Sequence, residues 1–364
     1  MKDRIVFAYT GEPDQSLAIP ALAEQYGADV VALTMDVGQG RELDQVRERA
    51  LASGAIRAHV LDVREEFAHH YILPALQAGA LYAGRYPMTS SLARPLIASK
   101  LIEIARIETA TAVAHGAKGR GNDLLPLDLS LRALEPAIRI CTPGRSGAAA
   151  STTNPYHVDA NLWGRSVEYG ILDDPWQEAP EDVYSLTKSA GSAPAAAAYV
   201  EISFEKGVPA AINGVSMSFT ELIESLTTIA GSHGVGRMDT IEKRQAEIMS
   251  REISEAPAAV VLHAAHRELE TFVLARDLER LKRELSLKYA DLVYNGLWFT
   301  PMREALDAFT RKVQELVTGT IRLKLFKGNC EVVGRRTSTR ASEPLTGTDA
   351  PNSVSSSAFA APHS

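Results

Sequence analysis

The stretch Ile-Val-Phe-Ala-Tyr-Thr-Gly-Glu-Pro-Asp-Gln-Ser (Ile5–Ser16) decides the fold of this chain. Its apolar start predicts a short buried strand, and the Gly, Pro and Asp that follow predict a tight turn that opens a helix. Such a turn offers backbone N–H groups and the positive end of a helix to an anion. The stretch therefore predicts a phosphate site in the first strand–helix unit.

Strand and helix signals continue to alternate over the first third of the chain. We predict strands at Ile5–Tyr9, Asp29–Met35, Arg57–Leu61 and Ala112–Ala114, and helices at Asp14–Tyr26, Glu42–Ser53, Glu65–Gly79 and Leu92–Glu108. The alternation predicts α/β architecture with a parallel sheet, in which ligands bind beyond the carboxyl ends of the strands. Three turns should then share one edge: Thr10–Ser16, Asp36–Gly40 and His115–Asp123.

Beyond about Gly170 the pattern becomes α+β. It predicts a hairpin of Tyr199–Glu205 and Ala210–Ile212, a helix at Ser218–Gly231, a long helical stretch at Leu262–Ala290, and a closing antiparallel pair of Thr318–Leu325 and Cys330–Val333. Low-complexity composition predicts a flexible loop at Gly144–Asn154 and a disordered tail from Arg335 to Ser364.

Composition narrows the function classes. The 364 residues can bury two domains, and the net charge of −7 argues against a general nucleic-acid binder. No apolar run is long enough to span a bilayer, which predicts no membrane partner. Cys141 and Cys330 lie too far apart in sequence to form a disulfide framework or a metal motif, so a reducing cytoplasm is expected.

Two polar stretches could carry chemistry. His115–Asp123 combines three glycines with cations, Asn and Asp at a predicted strand end; the alternative is a solvated surface loop. Tyr82–Ser91 gathers tyrosines, an arginine and hydroxyls before a helix, where Ser90 or Ser91 could be only an N-cap. His263 and His266 share a helix face, but no third ligand accompanies them, so no metal site is predicted.

Taken together, these stretches resemble the argininosuccinate synthase family over about Ile5 to Gly334. The first turn is similar to a nucleotide loop of consensus Ser-Gly-Gly-Leu-Asp-Thr-Ser. Further matches are Asp36–Gly40, Ser91–Ala98, His115–Asp123, Asp159–Trp163, Leu172–Trp176, His233–Arg237, Leu287–Ala290, Asn295–Phe299 and Arg322–Asn329.

The resemblance implies an ATP-pyrophosphatase domain of the adenine-nucleotide α-hydrolase type, followed by a synthetase and multimerisation domain. We place these at residues 1–168 and 169–334, with residues 335–364 as the tail. The family's ligase reaction activates the ureido oxygen of citrulline with AMP, releasing pyrophosphate. The amine of aspartate then displaces AMP to give argininosuccinate in arginine biosynthesis. ATP and Mg²⁺ are the implied cofactors.

The site residues are likewise implied by the resemblance. Catalytic roles fall to Asp14 and Asp123. Nucleotide-binding positions are Ala8, Tyr9, Thr10, Gly11, Asp14, Ser16 and Gly116. Substrate-binding positions are Tyr86, Ser91, Lys118, Asn122, Asp123, Ser166 and Glu242.

The sequence also departs from the family pattern. Glu12 and Pro13 replace Gly and Leu in the nucleotide loop, and Pro13 removes one N–H from it. In the substrate pocket Pro126, His157 and Ser254 replace an arginine, a serine and a tyrosine, and Lys118 replaces a threonine. The mid-chain loop is shorter than its counterpart, and the C-terminal arm that embraces neighbouring subunits gives way to the tail.

Three hypotheses stay open at this point. The first is the citrulline–aspartate ligase itself, acting on small molecules, with homo-oligomerisation in question because the arm is missing. The second is the same ligase chemistry on another acceptor in a specialised pathway. The third is a non-catalytic protein that binds a nucleotide or an amino acid.

Overall fold

The first half of the chain forms the predicted alternation of strands and helices. The computed structural model describes residues 2–40, 43–116, 124–143, 155–243 and 249–337. In chain order the elements are β1 (Arg4–Ala8), α1 (Pro13–Tyr26), β2 (Asp29–Asp36), α2 (Leu43–Ala52), β3 (Arg57–Asp62), α3 (Arg64–Phe67), a π-helical turn (Ala68–Ile72), α4 (Leu73–Ala78), α5 (Ala93–Ile107), β4 (Ala112–His115), α6 (Leu124–Leu134) and β5 (Arg139–Cys141).

Strands β3-β2-β1-β4-β5 form a parallel sheet in that order. Ile5 and Phe7 pack on one face against α1 and α2, whereas Val6 packs on the other face against α5 and α6. Burial on both faces explains why β1, β2 and β4 read as nearly continuous apolar runs. The carboxyl ends of β1, β2 and β4 share one edge, as predicted. Residues 117–123 of the third turn lie outside the described ranges.

The second half contributes two further sheets. Its elements are β6 (His157–Asn161), β7 (Gly164–Glu168), β8 (Ala198–Glu205), β9 (Val208–Ile212), β10 (Val215–Ser216), α7 (Phe219–Ser232), β11 (Arg237–Lys243), β12 (Met249–Glu255), α8 (Pro257–Val273), α9 (Arg276–Tyr294), α10 (Pro301–Gln314), β13 (Gly319–Phe326) and β14 (Asn329–Arg336). Two 3₁₀ turns, at Gly170–Asp173 and Glu181–Val183, lie between β7 and β8.

The predicted hairpin and closing pair join in one sheet of order β10-β9-β8-β13-β14. Val200, Ile202 and Phe204 alternate into the core. Strand β14 continues through Arg335 and Arg336, although the tail was predicted to start at Arg335. The reason is that β13 extends far enough to pair with both residues. Residues 338–364 and the predicted loop at Gly144–Asn154 lie outside the described ranges.

A third sheet of order β11-β12-β7-β6 is not evident from the sequence. One of its faces carries Val158, Val167 and Ile253, which pack against the segment that holds the two 3₁₀ turns. The strands are otherwise polar, and their pattern predicts no strand. The opposite face carries hydroxyls and carboxylates.

The long helical stretch predicted at Leu262–Ala290 is two helices. Leu274 and Ala275 have extended backbone, which ends α8 at Val273 and lets α9 begin at Arg276. The reversal brings Lys282 of α9 within 2.9 Å of Glu270 of α8. None of the helices in the described ranges combines the length and apolar composition needed to cross a bilayer.

Candidate active site

The edge of the parallel sheet is formed by the turns after β1, β2 and β4. Ala8, at the end of β1, lies directly opposite His115, at the end of β4. The Tyr9 N–H donates to the Leu33 carbonyl of β2, and the Thr34 hydroxyl donates to the Tyr9 carbonyl, at 2.9 Å each. These bonds hold the start of the first turn against the neighbouring strand.

The first turn requires glycine at position 11. Gly11 has φ +83°, and a Cβ there would lie 2.8 Å from a methyl group of Val46. Helix α1 then begins at Pro13, and the side chain of the N-cap residue Glu12 makes no capping hydrogen bond. The Glu12 carbonyl accepts hydrogen bonds from the N–H groups of Gln15 and Ser16 at 3.0 and 3.1 Å. Because Pro13 has no N–H, the first helical turn offers one backbone donor fewer to an anion.

Two of the predicted nucleotide-binding side chains contact each other. The hydroxyl groups of Tyr9 and Ser16 lie 2.6 Å apart, and Tyr9 is buried. The backbone of Asp14 lies in the first turn of α1, and its side chain is outside the described part of the structure. The hydrogen bond between the two hydroxyl groups links the first turn of α1 to Tyr9, the residue that follows β1.

Gln15 is a member of this edge that sequence reasoning missed. Its Oε1 accepts a hydrogen bond of 2.7 Å from the Thr10 N–H. Its Nε2 lies 2.9 Å from the position that a Cβ on Gly116 would occupy. The side chain thus contacts two of the predicted nucleotide-binding residues, one on each of two neighbouring turns.

His115 is buried beside Gly116 and is tied to helix α6. Its Nε2 lies 2.9 Å from Oδ1 of Asp128, and its Nδ1 has no hydrogen-bond partner among the described residues. Three of the predicted substrate and catalytic residues, Lys118, Asn122 and Asp123, fall in the stretch before α6 that lies outside the described ranges.

The loop Tyr82–Ser91 lies beside this edge and holds two predicted substrate residues. Tyr86 and Ser91 are both buried, and Tyr86 lies 3.2 Å from the Thr89 hydroxyl. Arg94 donates to Ser91 Oγ at 3.3 Å. The alternative that a serine caps the next helix is wrong, because Leu92 is the residue before α5 and makes no side-chain cap.

The polar face of the third sheet forms a wall of buried hydroxyls and carboxylates. Ser254 stands opposite Ser166, and Glu252 stands opposite Glu168. All four residues are at most 8% exposed, and the Ser254 hydroxyl donates to Glu252 at 2.8 Å. Glu242 lies in β11 of the same sheet, and its side chain is outside the described part of the structure.

Three backbone and side-chain bonds join this wall to the substrate loop and the sheet edge. Trp163 donates through its indole N–H to Pro87 O at 3.0 Å, and Asn161 donates to Thr89 O at 2.7 Å. Between them, the Leu162 N–H donates to Val37 O at 2.7 Å. The turn between β6 and β7, which precedes Ser166 in the chain, therefore contacts both the substrate loop and the turn after β2.

Pro126 stands where the family pattern has an arginine, and its backbone packs closely against Gly296. A Cβ on Gly296, which has φ +75°, would lie 2.4 Å from the Cα of Pro126. The Ser130 hydroxyl donates to the Pro126 carbonyl at 3.0 Å and also to Gly296 O at 3.3 Å. The start of α6 is therefore fixed against the loop between α9 and α10.

The motif His233–Arg237 has a structural role. Arg237 donates to both carboxylate oxygens of Glu181, at 2.8 and 3.0 Å, and to Thr187. Its guanidinium lies 3.8 Å from the centre of the Tyr184 ring. The hydrogen bonds from Arg237 lower the pKa of Glu181. These contacts pin the segment that covers the apolar face of the third sheet.

His263 and His266 do not form a metal site with a third residue: the described residues contain no group of three His, Cys, Asp or Glu side chains that could hold a metal ion. His266 lies 2.8 Å from Gln314, and burial lowers the pKa of both imidazoles. Both cysteines are free thiols, with Cys141 buried and Cys330 half-buried.

Comparisons with known proteins cover both halves of the chain. A profile of the arginosuccinate synthase N-terminal HUP domain matches residues 4–158, and one of the arginosuccinate synthase C-terminal domain matches residues 156–353. The argininosuccinate synthase of Symbiobacterium thermophilum is 48% identical over 92% of this chain and 88% of that protein. The one from Oceanobacillus iheyensis is 47% identical over 92% of this chain and 84% of that protein. Together with the geometry of the sheet edge, these matches show that the chain belongs to the argininosuccinate synthase family.

Proposed function

We propose that this protein is an ATP-dependent ligase that joins citrulline and aspartate to give argininosuccinate, AMP and pyrophosphate. The observation that carries the proposal is the junction made by the turn between β6 and β7. Asn161 and Trp163 at this turn bond to the predicted substrate loop, and Leu162 bonds to the turn after β2 at the sheet edge. A family member that keeps this junction keeps the means to hold an acceptor beside a nucleotide.

The reaction has two displacements. The ureido oxygen of citrulline attacks the α-phosphorus of ATP, and pyrophosphate leaves with the electron pair of the broken P–O bond. The amine of aspartate then attacks the activated carbon, and AMP leaves as the C–O bond breaks. Both steps depend on holding the reactants in line and on donors that face the developing charge.

We assign the chain's residues to these tasks by position. Thr10, Gly11 and Gly116 would hold the nucleotide, while Tyr86, Ser91 and Ser166 would orient the acceptor. Asp14, Lys118, Asn122, Asp123 and Glu242, with Ala8, Tyr9 and Ser16, complete the proposed set. The catalytic roles of Asp14 and Asp123 are proposed from the family resemblance.

We propose Mg²⁺ as the companion of the ATP polyphosphate, as the family resemblance implies. Magnesium in nucleotide enzymes is held mostly by substrate phosphates and water, with one or two carboxylates. When bound, the ion would neutralise charge on the leaving pyrophosphate, and the carboxylate of Asp14 is the proposed protein contribution.

The same chemistry on another acceptor is the second candidate. Its supporting observation is the buried pair Glu168 and Glu252, which face each other across adjacent strands beside Ser254. A carboxylate-rich wall, with Pro126 in place of an arginine, suits an acceptor whose remote end is neutral or cationic better than one with a carboxylate. Non-catalytic binding of a nucleotide is the third hypothesis.

Pyrophosphate release from ATP and Mg²⁺ tests the proposal directly. Release that requires both citrulline and aspartate supports the ligase. Release that requires aspartate and a different ureido or amide compound supports the second candidate. ATP binding without release under any of these conditions would contradict both and leave the non-catalytic protein.

The altered nucleotide loop gives a matched test. Glu12→Gly combined with Pro13→Leu restores one N–H and removes one carboxylate from the turn. If the loop only weakens ATP binding, the double variant should bind ATP at least about tenfold more tightly, because one charge-assisted contact contributes about 1.5–3 kcal/mol. Equal or weaker binding would show that the turn has been rebuilt for another ligand.

We further propose that the protein works on small molecules in the cytoplasm, where its two free thiols fit a reducing environment. Homo-oligomerisation and the division into residues 1–168, 169–334 and 335–364 remain predictions. Sedimentation of the purified full chain would measure the oligomeric state.

A further inference from the structure

The side chain of Gln15 folds back over the turn that precedes its own helix. Its Oε1 accepts the Thr10 N–H at 2.7 Å, and its Nε2 fills the space beside the Cα of Gly116. Thr10 and Gly116 belong to turns that follow two neighbouring strands, β1 and β4. The carboxamide therefore bridges the gap across which a nucleotide would have to bind.

The chemistry of the two contacts is that of a ligand. A backbone N–H in a turn before a helix is a donor suited to a phosphate oxygen. The carboxamide oxygen of Gln15 satisfies this donor at a normal hydrogen-bond distance. A glycine leaves room for a ligand to approach the backbone, and at Gly116 that room is filled by the Nε2 group.

We propose that the Gln15 carboxamide is an internal occupant of the nucleotide site, which a phosphate-bearing ligand must displace from Thr10 and Gly116. The inference rests on the proposed function, because it takes this edge as the place where ATP binds. Gln15 then lowers nucleotide affinity by competing for the same donor and the same space. It is an affinity-determining residue and takes no part in the chemical steps.

The competing explanation is a purely structural cap. A Gln at the third position of a helix can reach back to a backbone N–H near the helix start, which stabilises the helix. In that case removing the side chain lowers stability and leaves ATP affinity unchanged. The two explanations therefore differ in the sign of one measurable quantity.

Calorimetric titration of the full-length protein with ATP in Mg²⁺ tests the proposal. Gln15→Ala and Gln15→Thr should bind ATP about three- to tenfold more tightly than the unmodified chain, the gain expected when one neutral hydrogen bond no longer competes. Gln15→Glu keeps the acceptor and adds a negative charge, so it should bind ATP more weakly. Gln25→Ala, an exposed Gln→Ala change in the same helix, serves as the control and should leave affinity unchanged.

Several results would overturn the proposal. They are unchanged or weaker ATP binding by both Gln15→Ala and Gln15→Thr, equal affinities for Gln15→Glu and Gln15→Ala, or no ATP binding by any variant. Because three substitutions are compared, failure of one to fold leaves the others to decide. A thermal scan of each variant reports the loss of the cap separately.

The same variants separate this inference from the proposed function. Pyrophosphate release is measured with citrulline and aspartate alongside the titrations. If the affinities follow the predicted order without any release, the inference stands and the ligase assignment fails. If pyrophosphate is released but substitutions of Gln15 leave the affinity for ATP unchanged, the ligase assignment stands and the inference fails.

Discussion

Replacing Glu255 should destabilise the protein more than any ordinary surface substitution. This carboxylate is 1% exposed at the end of β12 and accepts the backbone N–H groups of Ser185, Leu186 and Thr187 at 2.8–2.9 Å. It also accepts the Thr187 hydroxyl at 2.6 Å and a bond of 3.2 Å from Arg165. One side chain thus anchors the long segment between β7 and β8 to the third sheet.

The magnitude follows from the number of donors that lose their partner. A hydrogen bond to a charged group contributes about 1.5–3 kcal/mol. Glu255→Ala removes the acceptor of three backbone N–H groups and of the Thr187 hydroxyl, which should cost at least about 4 kcal/mol. In Glu255→Gln the carbonyl can keep the donors of Leu186 and Thr187. The amide NH₂ would then face Ser185 N–H and Arg165, and we expect a loss of about 1.5–3 kcal/mol.

Urea unfolding followed by circular dichroism would measure both variants against the unmodified chain. Glu178→Ala, an exposed Glu→Ala change in the same segment, is the control and should fall within about 0.5 kcal/mol of the unmodified chain. A loss below about 1 kcal/mol for Glu255→Ala would refute the reasoning, since it would mean that water replaces the carboxylate without cost. Equal losses for the Ala and Gln variants would refute the oxygen-by-oxygen assignment.

Three further predictions concern pH and substrate affinity. Burial alone would raise the pKa of Glu108, but hydrogen bonds, including that from His59 at 2.8 Å, outweigh burial and lower the pKa below 4.5. The ionised Glu108 therefore stabilises the fold above about pH 4.5, and this contribution is lost below that pH. In Glu108→Gln the urea midpoint should depend less on pH over this range. Burial lowers the pKa of His263 from 6.5 to about 3, so the unfolded chain binds this proton first and the free energy of unfolding should fall as the pH drops below 6.5. His263→Gln should reduce the pH dependence of the free energy of unfolding by about 1.4 kcal/mol per pH unit over this range. Asn161→Ala loses the hydrogen bond to Thr89 O. In steady-state kinetics the KM for citrulline should rise about threefold or more, while the KM for ATP changes little. Equal changes in the two KM values would contradict a local role for this hydrogen bond.

The nucleotide half of the fold was predictable because its strands β1, β2 and β4 are buried on both faces. A run such as Ile5–Phe7 contains no polar residue, which favours a buried strand, and the turn that follows it contains glycine and proline. The third sheet was not predictable, since Val167 and Ile253 are the only fully buried apolar side chains among the described residues of its strands. The pairing of β7 with β12 joins distant segments, and a local pattern does not record such a contact.

The site divides in the same way. Thr10, Gly11 and Gly116 stand out as turn residues, so their approach to one edge follows from the order of parallel strands. The pairing of Glu168 with Glu252 depends on strand register between segments more than eighty residues apart. The contact of Gln15 with Gly116 depends on side-chain direction, which the sequence near either residue does not specify.

The contact between Leu162 and the turn after β2 has a mechanical consequence. Leu162 N–H bonds to Val37 O, and a Cβ on Gly38 would lie 2.8 Å from the same nitrogen, so backbone touches backbone. Such a joint leaves no side chain between the turn after β2 and the turn that joins β6 to β7. Any movement of one of these turns should therefore carry the other with it, so that the start of the third sheet follows the sheet edge.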